Sequence, residues 1–434
     1  MKLLIQNGRV IDPASGFDQT GDVAIAAGRI VAMGQAPADF SPNRVIDAKG
    51  CIVAPGLVDL AARLREPGQE HAGMLESEMA AAVAGGVTSL VCSPDTDPVL
   101  DEPGLVEMLR YRAEKLHQAR VLPLGALTLG LKGDVLTEMG QLTAAGCVGF
   151  SQAEVPIPST QVLQRALQYA STFDYTVWLR PQELHLGKGV AASGPLATRM
   201  GLSGVPVAAE TIALHTIFEL VRSTRARVHL CRISSAQGVE LVRQAKAEGL
   251  PITADVSINS LHLTDTDMGY FDSRARLTPV LRQQRDRDAL RAGLADGTLD
   301  ALVSDHTPVD ADAKALPFAE AESGATGLEL LLSLSLKWAQ DSKVSVLRAL
   351  DVLTAQPAKV LGKVQGQSTS LGQLHVGGVA DIVVFDPAVE WHVTPDALHS
   401  QGKHTPFAFD MTGMSLPARV KATLVAGHVA YQAD

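Results

Sequence analysis

Three arginines and one aspartate are the residues of this chain whose types and positions best suit a functional site. Arg63, Arg180 and Arg232 each end a short apolar run, and Asp305 ends another. A guanidinium carries five donors and no acceptor, so these arginines suit carboxylates and cannot coordinate a metal ion. A buried carboxylate without a counter-charge costs several kcal/mol. We therefore expect one or more of the arginines to pair with Asp305 in a salt-bridge cluster; the alternative is an exposed basic patch.

The apolar runs that carry these residues alternate with amphipathic helical patterns. They lie near residues 57–58, 88–92, 120–124, 147–150, 176–179, 227–230, 252–256 and 301–303. Strands that alternate with helices are typical of the α/β class with a parallel sheet, and eight such units predict a (β/α)8 TIM barrel. Residues at the carboxyl ends of barrel strands surround one pocket, so the four charged side chains should meet there.

The two ends of the chain have a different pattern. Short apolar runs separated by Asn-Gly, Asp-Pro and Ala-Gly turns fill the first 52 residues, and similar runs return near 381–386 and 420–429. This spacing is typical of β-hairpins. We therefore expect a small composite β-sandwich from residues 1–52 and 365–434, and a barrel over residues 53–364.

Composition narrows the partners and the compartment. The 434 residues include 37 Lys+Arg and 47 Asp+Glu, and the net charge of -10 disfavours nucleic acid and anionic membrane. The short apolar start predicts no signal peptide, so the cytoplasm is expected. The four cysteines lack Cys-x-x-Cys spacing and are interpreted as small buried hydrophobic residues. The histidines, His229 among them, lack zinc-ligand spacing and are interpreted as ordinary surface or core residues.

Several segments, in their order and spacing, resemble the dihydroorotases, a family of cyclic amidohydrolases. They are 64–71 (LREPGQEH), 84–98 (AGGVTSLVCSPDTDP), 304–308 (SDHTP) and 327–330 (GLEL). The resemblance runs nearly from end to end of the chain. It implies a barrel whose strand ends hold catalytic zinc, and a substrate carboxylate bound by an arginine.

The same resemblance indicates that the zinc ligands of the family are replaced here. The family pattern Asp-x-His-x-His begins at Asp59 and loses both histidines, and an acid and two lone histidines at later strand ends are lost as well. The replaced positions are Ala61, Arg63, Gln152, Arg180 and Arg232. A methyl group, a neutral amide and a guanidinium are poor or impossible zinc ligands. No metal or other cofactor is therefore expected, and zinc only if other ligands exist.

Other positions correspond to the catalytic and substrate-binding residues of the family. Asp305 matches the catalytic aspartate and is interpreted as retained but vestigial. Arg65 matches the arginine that holds the substrate carboxylate, but its usual asparagine partner is Asp95, which is expected to repel an anion and to pair with Arg65. A second asparagine of the family is Thr278. These three residues are interpreted as remnants of a substrate pocket.

Three functions are compatible with these residues. The first is a non-catalytic dihydroorotase-like protein of de novo pyrimidine biosynthesis, a structural partner of aspartate carbamoyltransferase within an oligomer. The second is a divergent active dihydroorotase or related cyclic amidohydrolase that uses Asp305 and Glu154 with metal ligands not evident in the sequence. The third is an anion-binding sensor that uses the arginine-lined pocket.

Overall fold

The structure of the protein is a computed structural model that describes residues 2–362, 371–408 and 413–433. The strands of these residues are given in chain order. They are β1 (Lys2–Asp12), β2 (Phe17–Ala26), β3 (Arg29–Gly34), β4 (Arg44–Asp47), β5 (Ile52–Pro55), β6 (Leu57–Ala62), β7 (Val87–Cys92), β8 (Arg120–Pro123), β9 (Gly125–Ala126), β10 (Phe150–Ser151), β11 (Thr176–Leu179), β12 (Ala191–Ala192), β13 (Gly204–Val205), β14 (Arg227–Leu230), β15 (Ile252–Ser257), β16 (Ala301–Val303), β17 (Ile382–His392), β18 (Ser415–Val425) and β19 (His428–Gln432).

The helices lie mostly between the strands of the central region. They are α1 (Leu75–Ala84), α2 (Pro103–Lys115), α3 (Met139–Ala145), α4 (Thr160–Thr172), α5 (Pro195–Met200), α6 (Ala208–Thr224), α7 (Ala236–Ala247), α8 (Ile258–His262), α9 (Gln284–Asp296), α10 (Ala311–Ala315), α11 (Leu331–Ser342), α12 (Val346–Asp351) and α13 (Ala355–Leu361). In the part of the chain that the structure describes, no helix is both long and apolar enough to cross a bilayer.

A parallel barrel forms the centre of the molecule, as the alternating pattern predicted. Its strands form two halves, β6-β7-β8 and β10-β11-β14-β15-β16, and adjacent strands within each half pair in parallel. Leu124 N donates to Cys92 O (2.9 Å) and Gly125 N to Gly149 O (3.0 Å), which joins the two halves on one side. A parallel bridge between Ala62 and His306 joins them on the other. Every residue of β7 is buried, as expected for a barrel strand covered on both faces.

Both ends of the chain contribute to one separate β-structure, which confirms the predicted pairing of the termini. Its strand order is β19-β18-β17-β5-β1-β2-β3, and β4 pairs with β1. The central strand β5 pairs in parallel with β1 and antiparallel with β17, so it joins the two ends. The predicted domain boundary between residues 364 and 365 lies outside the described residues.

Three residues at the barrel mouth have left-handed backbone conformations. Arg65, Arg232 and Asp305 have φ angles of 63°, 56° and 52°. Residues other than glycine rarely adopt this region, and when they do they often lie at functional sites. The backbone therefore turns sharply at the strand ends where the candidate residues stand.

Candidate functional site

The carboxyl ends of the barrel strands bring the predicted arginines together. Arg63 follows β6, Arg180 follows β11 and Arg232 lies just after β14. Their side chains are only 12%, 7% and 6% exposed. They do not form an exposed basic patch.

Glu154, which lies just after β10, is the residue that connects the arginines. Its carboxylate accepts a hydrogen bond from Arg63 Nη2 at 2.9 Å and forms ion pairs with Arg180 and Arg232. Burial opposes ionisation of Glu154, but the nearby Arg180, Arg232 and Arg63 outweigh it and hold the pKa of this carboxyl well below its usual range. Glu154 is therefore ionised at neutral pH and forms ion pairs with all three arginines.

Two further carboxylates complete the group. Arg232 Nη1 lies 2.9 Å from Asp305 Oδ1, which is the arginine–aspartate contact that the sequence predicted. Arg63 Nε donates to Asp95 Oδ2 at 2.8 Å. Burial raises the pKa of Asp305, although Arg232 and Arg63 partly offset it.

We call these six residues the barrel-mouth cluster: Arg63, Arg180, Arg232, Asp95, Glu154 and Asp305. The three guanidinium charges equal the three carboxylate charges when all are ionised. A charge-balanced group offers no excess negative charge to attract a divalent cation. Its arginines are likewise occupied by internal carboxylates, which weakens the case for an anion bound at this point.

Local hydrogen bonds hold the strand ends that carry the cluster. Ser304, next to Asp305, donates its backbone N–H to Asp59 Oδ1 at 3.0 Å, and its hydroxyl donates to the other oxygen of Asp59. The Arg232 backbone N–H donates to Asp255 Oδ1 at 2.6 Å. Both aspartates are fully buried, so the two strand ends are positioned from inside the barrel.

The replaced metal positions do not fit zinc. Ala61 offers only a methyl group, and the guanidinium nitrogens of the three arginines have no lone pair to give. Gln152 is buried outside the cluster, where its amide donates to Leu131 O at 2.8 Å and accepts from Thr128 Oγ1 at 3.0 Å. The zinc ligands that the resemblance implies are therefore absent from these positions.

The arrangement around Arg65 corrects one expectation. Asp95 was expected to pair with Arg65, but it pairs with Arg63 instead. Arg65 turns the other way and donates to Pro308 O at 2.7 Å and to Glu322 Oε1 at 2.9 Å. Its left-handed backbone and its carboxylate partner on the later loop explain the difference. A substrate carboxylate would have to displace Glu322.

The third pocket remnant, Thr278, is also engaged within the protein. Its carbonyl accepts from Arg232 Nη1 at 3.4 Å, and its hydroxyl accepts from Ser323 at 2.7 Å. The remaining space at the mouth is a cavity of about 150 Å³. Two arginines and four carboxylates line it: Arg63, Arg65, Asp95, Glu154, Asp305 and Glu322. Both arginines already pair with internal carboxylates, so this lining disfavours an anionic substrate.

A second group of potential ligands was missed from the sequence. The ligand atoms of His229, Cys231 and Asp255 lie within 4.8 Å of one another. His229 and Cys231 are two residues apart, so their side chains point to the same face of the sheet. The pairing of β14 with β15 brings Asp255 beside them. The i, i+2 spacing of His229 and Cys231 was the only signal of this group in the sequence, and it is not a spacing typical of zinc motifs.

The contacts of this second group are those of a hydrogen-bonded core. His229 Nε2 lies 2.8 Å from Asp255 Oδ2, and its Nδ1 lies 2.8 Å from Thr253 Oγ1, so both ring nitrogens are engaged. Burial raises the pKa of the Cys231 thiol well above its usual value, which keeps it protonated. A metal would have to break these bonds and remove that proton.

Comparisons with known proteins agree with the fold and with the family resemblance of the sequence. The dihydro-orotase-like family matches residues 50–238, and the amidohydrolase family matches residues 214–430. A "dihydroorotase-like protein" of Pseudomonas aeruginosa is 44% identical over 433 residues, with all of both chains covered. A protein of the same description from Pseudomonas putida is 43% identical, with 99% of each chain covered. A "dihydroorotase" of Geobacter sp. is 39% identical, with all of both chains covered.

Solved structures of cyclic amidohydrolases have the same fold. The L-hydantoinase of Arthrobacter aurescens superposes with a TM-score of 0.86 and 22% identity, covering 98% of this chain and 95% of its own. A D-hydantoinase superposes with a TM-score of 0.83 and 21% identity, covering 99% and 95%. These likenesses establish the barrel with its β-domain, and the full-length relatives establish the family. This chain belongs to the dihydroorotase-like family of the amidohydrolases.

Proposed function

We propose that this chain is a non-catalytic dihydroorotase-like protein of de novo pyrimidine biosynthesis and a structural partner of aspartate carbamoyltransferase. The observation that carries the proposal is the barrel-mouth cluster. Amidohydrolases usually bind zinc at the strand ends, and here those ends carry a charge-balanced group of arginines and carboxylates. The description "dihydroorotase-like protein" of two full-length relatives is consistent with a departure from the ordinary enzyme.

The chemistry of the family gives the reason for a lost reaction. A metal ion lowers the pKa of a bound water to near neutrality and supplies the nucleophile for hydrolysis. Arg63, Arg180 and Arg232 cannot bind that ion, and Asp305 already accepts a hydrogen bond from Arg232. With no activated water beside it, Asp305 has no nucleophile to deprotonate.

The role of a partner follows from what the chain keeps. The barrel retains its buried strands and its surrounding helices although its centre has changed. A fold maintained without its reaction is explained by its outer surface, and the resemblance supplies aspartate carbamoyltransferase as the partner. We place the complex in the cytoplasm as a hetero-oligomer, without nucleic acid or membrane. Symmetric assembly is the general pattern of such complexes.

Co-expression of this chain with the aspartate carbamoyltransferase of the same organism tests the proposal. The two proteins are expected to co-elute in size-exclusion chromatography at a mass larger than either component. The control is each protein expressed alone and then mixed with an unrelated barrel protein. If the transferase elutes at the same size with and without this chain, the partnership is wrong.

A second candidate is a metal-dependent cyclic amidase. The group of His229, Cys231 and Asp255 is the specific observation that favours it. The engaged nitrogens of His229 and the protonated thiol of Cys231 make it the weaker candidate. Stoichiometric metal that is lost on His229→Ala substitution, together with metal-dependent ring hydrolysis, would select this function over the first.

A further inference from the structure

A second cavity lies beside the barrel-mouth cluster and has a different electrostatic character. Its volume is about 250 Å³. Among the described residues, the charged side chains that line it are Arg180, Arg232, Arg276, Arg282, Glu154 and Glu210. We call it the arginine cavity. Arg180, Arg232 and Glu154 belong to the cluster and are balanced there, so the character of the cavity depends on the other three residues.

Arg276 has no carboxylate partner among the residues described. Its Nε is buried without a hydrogen-bond partner, and its Nη1 makes only a 3.5 Å contact with the carbonyl of the adjacent Leu277. Burial lowers the pKa of Arg276, and no neighbouring acid offsets that effect. A half-buried guanidinium with an unused donor is costly unless an acceptor reaches it.

Arg282 is also held by neutral groups. It is 7% exposed, and it donates to Ser234 Oγ at 2.9 Å and to Val205 O at 3.3 Å. These acceptors satisfy hydrogen bonds without cancelling the charge. The nearest carboxylate in this network, Glu210, lies beyond Ser234, whose hydroxyl donates to it at 2.6 Å.

Glu210 has little remaining capacity to serve the arginines. It accepts from both the backbone N–H and the hydroxyl of Ser234, at 2.8 and 2.6 Å. It accepts the same two kinds of bond from Ser235, at 3.1 and 2.5 Å. Its single charge balances one of Arg276 and Arg282, and one positive charge remains on the cavity wall.

We propose that the arginine cavity binds a small oxyanion of the carboxylate or phosphate class. Guanidinium groups present paired donors that match the oxygens of either group. The anion would supply the acceptor that Arg276 lacks and the charge that Glu210 leaves uncompensated. This site is separate from Arg65, and the inference does not depend on the proposed partnership with aspartate carbamoyltransferase.

Calorimetric titration of the full-length protein with inorganic phosphate and, separately, with succinate tests the inference. At least one of them should bind, and Arg276→Gln should weaken that binding by about tenfold or more, since a hydrogen bond to a charged group is lost. The matched control is Arg285→Gln, which removes the same charge from a side chain that is 72% exposed. It should leave the affinity unchanged. The anion that binds identifies the chemical class.

Thermal unfolding provides a second measurement that does not depend on the variants. Phosphate or succinate should raise the melting temperature of the wild-type protein more than sodium chloride at equal ionic strength. If sodium chloride raised the melting temperature by the same amount, the stabilisation would be explained by general ionic screening, and this would overturn the inference. So would an absence of binding by both anions at millimolar concentration, or an equal loss of binding in Arg276→Gln and Arg285→Gln when both remain folded. A wild-type shift that exceeds the chloride shift supports the site even if Arg276→Gln does not fold.

Discussion

Arg232 Nη1 lies 2.9 Å from Asp305 Oδ1, and both side chains are 6% exposed. The two residues follow β14 and β16 at the mouth of the barrel. Asp305 is thus retained with an internal cation as its partner. The same guanidinium reaches Glu154, so one arginine connects two carboxylates across the mouth.

Removing the charge of Asp305 should destabilise the protein. Asp305→Asn leaves Arg232 with one carboxylate instead of two in a desolvated site, and we expect a loss of about 1–3 kcal/mol in the free energy of unfolding. Urea denaturation measures it. Asp39→Asn is the matched control, because Asp39 is exposed on the β-domain. Equal stability of the wild type and Asp305→Asn would mean that this pair is solvated.

Glu154→Gln should have a larger effect than Asp305→Asn. The substitution removes the one carboxylate that contacts Arg63, Arg180 and Arg232 together, and it leaves three arginines facing two acids. We expect a loss of about 3 kcal/mol, reduced from the upper range for buried pairs because Glu154 is 28% exposed. Glu320→Gln, at an exposed position, should change the stability little. A smaller loss for Glu154→Gln than for Asp305→Asn would show that Glu154 is not the centre of the cluster.

The pH dependence of stability should contain a contribution from Asp59. Burial raises the pKa of this carboxyl to about 6, although hydrogen bonds from Ser304 oppose the shift. The folded protein therefore holds the proton more tightly than the unfolded chain does. The stability that Asp59 contributes is full below about pH 4 and is lost as the pH rises through about 6.

Urea unfolding at pH 4.5 and pH 6.5 measures this contribution. Asp59→Asn should remove a decrease on the order of 2 kcal/mol that the wild type shows between these two pH values, because the amide does not titrate. The control Asp39→Asn should keep the wild-type slope. An unchanged slope in Asp59→Asn would contradict the raised pKa.

Much of the fold was predictable because it depends on periodic patterns. Each barrel strand is a short apolar run, and the runs near 57–58 and 301–303 correspond to the first and last barrel strands β6 and β16. The pairing of both chain ends in one β-structure followed from their matching hairpin patterns. The predicted contact of an arginine with Asp305 followed from charge and from the convergence of strand ends.

The rest of the site depends on loop geometry that a linear pattern does not contain. Asp95 forms its ion pair with Arg63 rather than with Arg65, and this depends on the left-handed turn at Arg65. The sequence suggests Glu154 only as a residue that a divergent enzyme would use with Asp305. Its contacts with Arg63, Arg180 and Arg232 come from three different strand ends. The proximity of Cys231 and Asp255 depends on the register of β14 and β15, two strands that the helix α7 separates in sequence.

The partner interface should be insensitive to the barrel-mouth cluster. Arg180 is 7% exposed, so its side chain offers little surface to another protein. We expect Arg180→Ala to lower the melting temperature but to co-elute with aspartate carbamoyltransferase as the wild type does. Arg232→Ala should behave in the same way if it folds. Loss of co-elution by a folded Arg180→Ala protein would place the interface at the barrel mouth.

The most direct test of the charge-balanced cluster as a replacement for the metal centre is the metal content of the purified protein. The full-length protein, expressed in zinc-supplemented medium and measured by plasma mass spectrometry, should contain far less than one zinc per chain. The same preparation should neither hydrolyse nor cyclise dihydroorotate or its open form. One zinc per chain, with turnover that a chelator abolishes and zinc restores, would contradict the account.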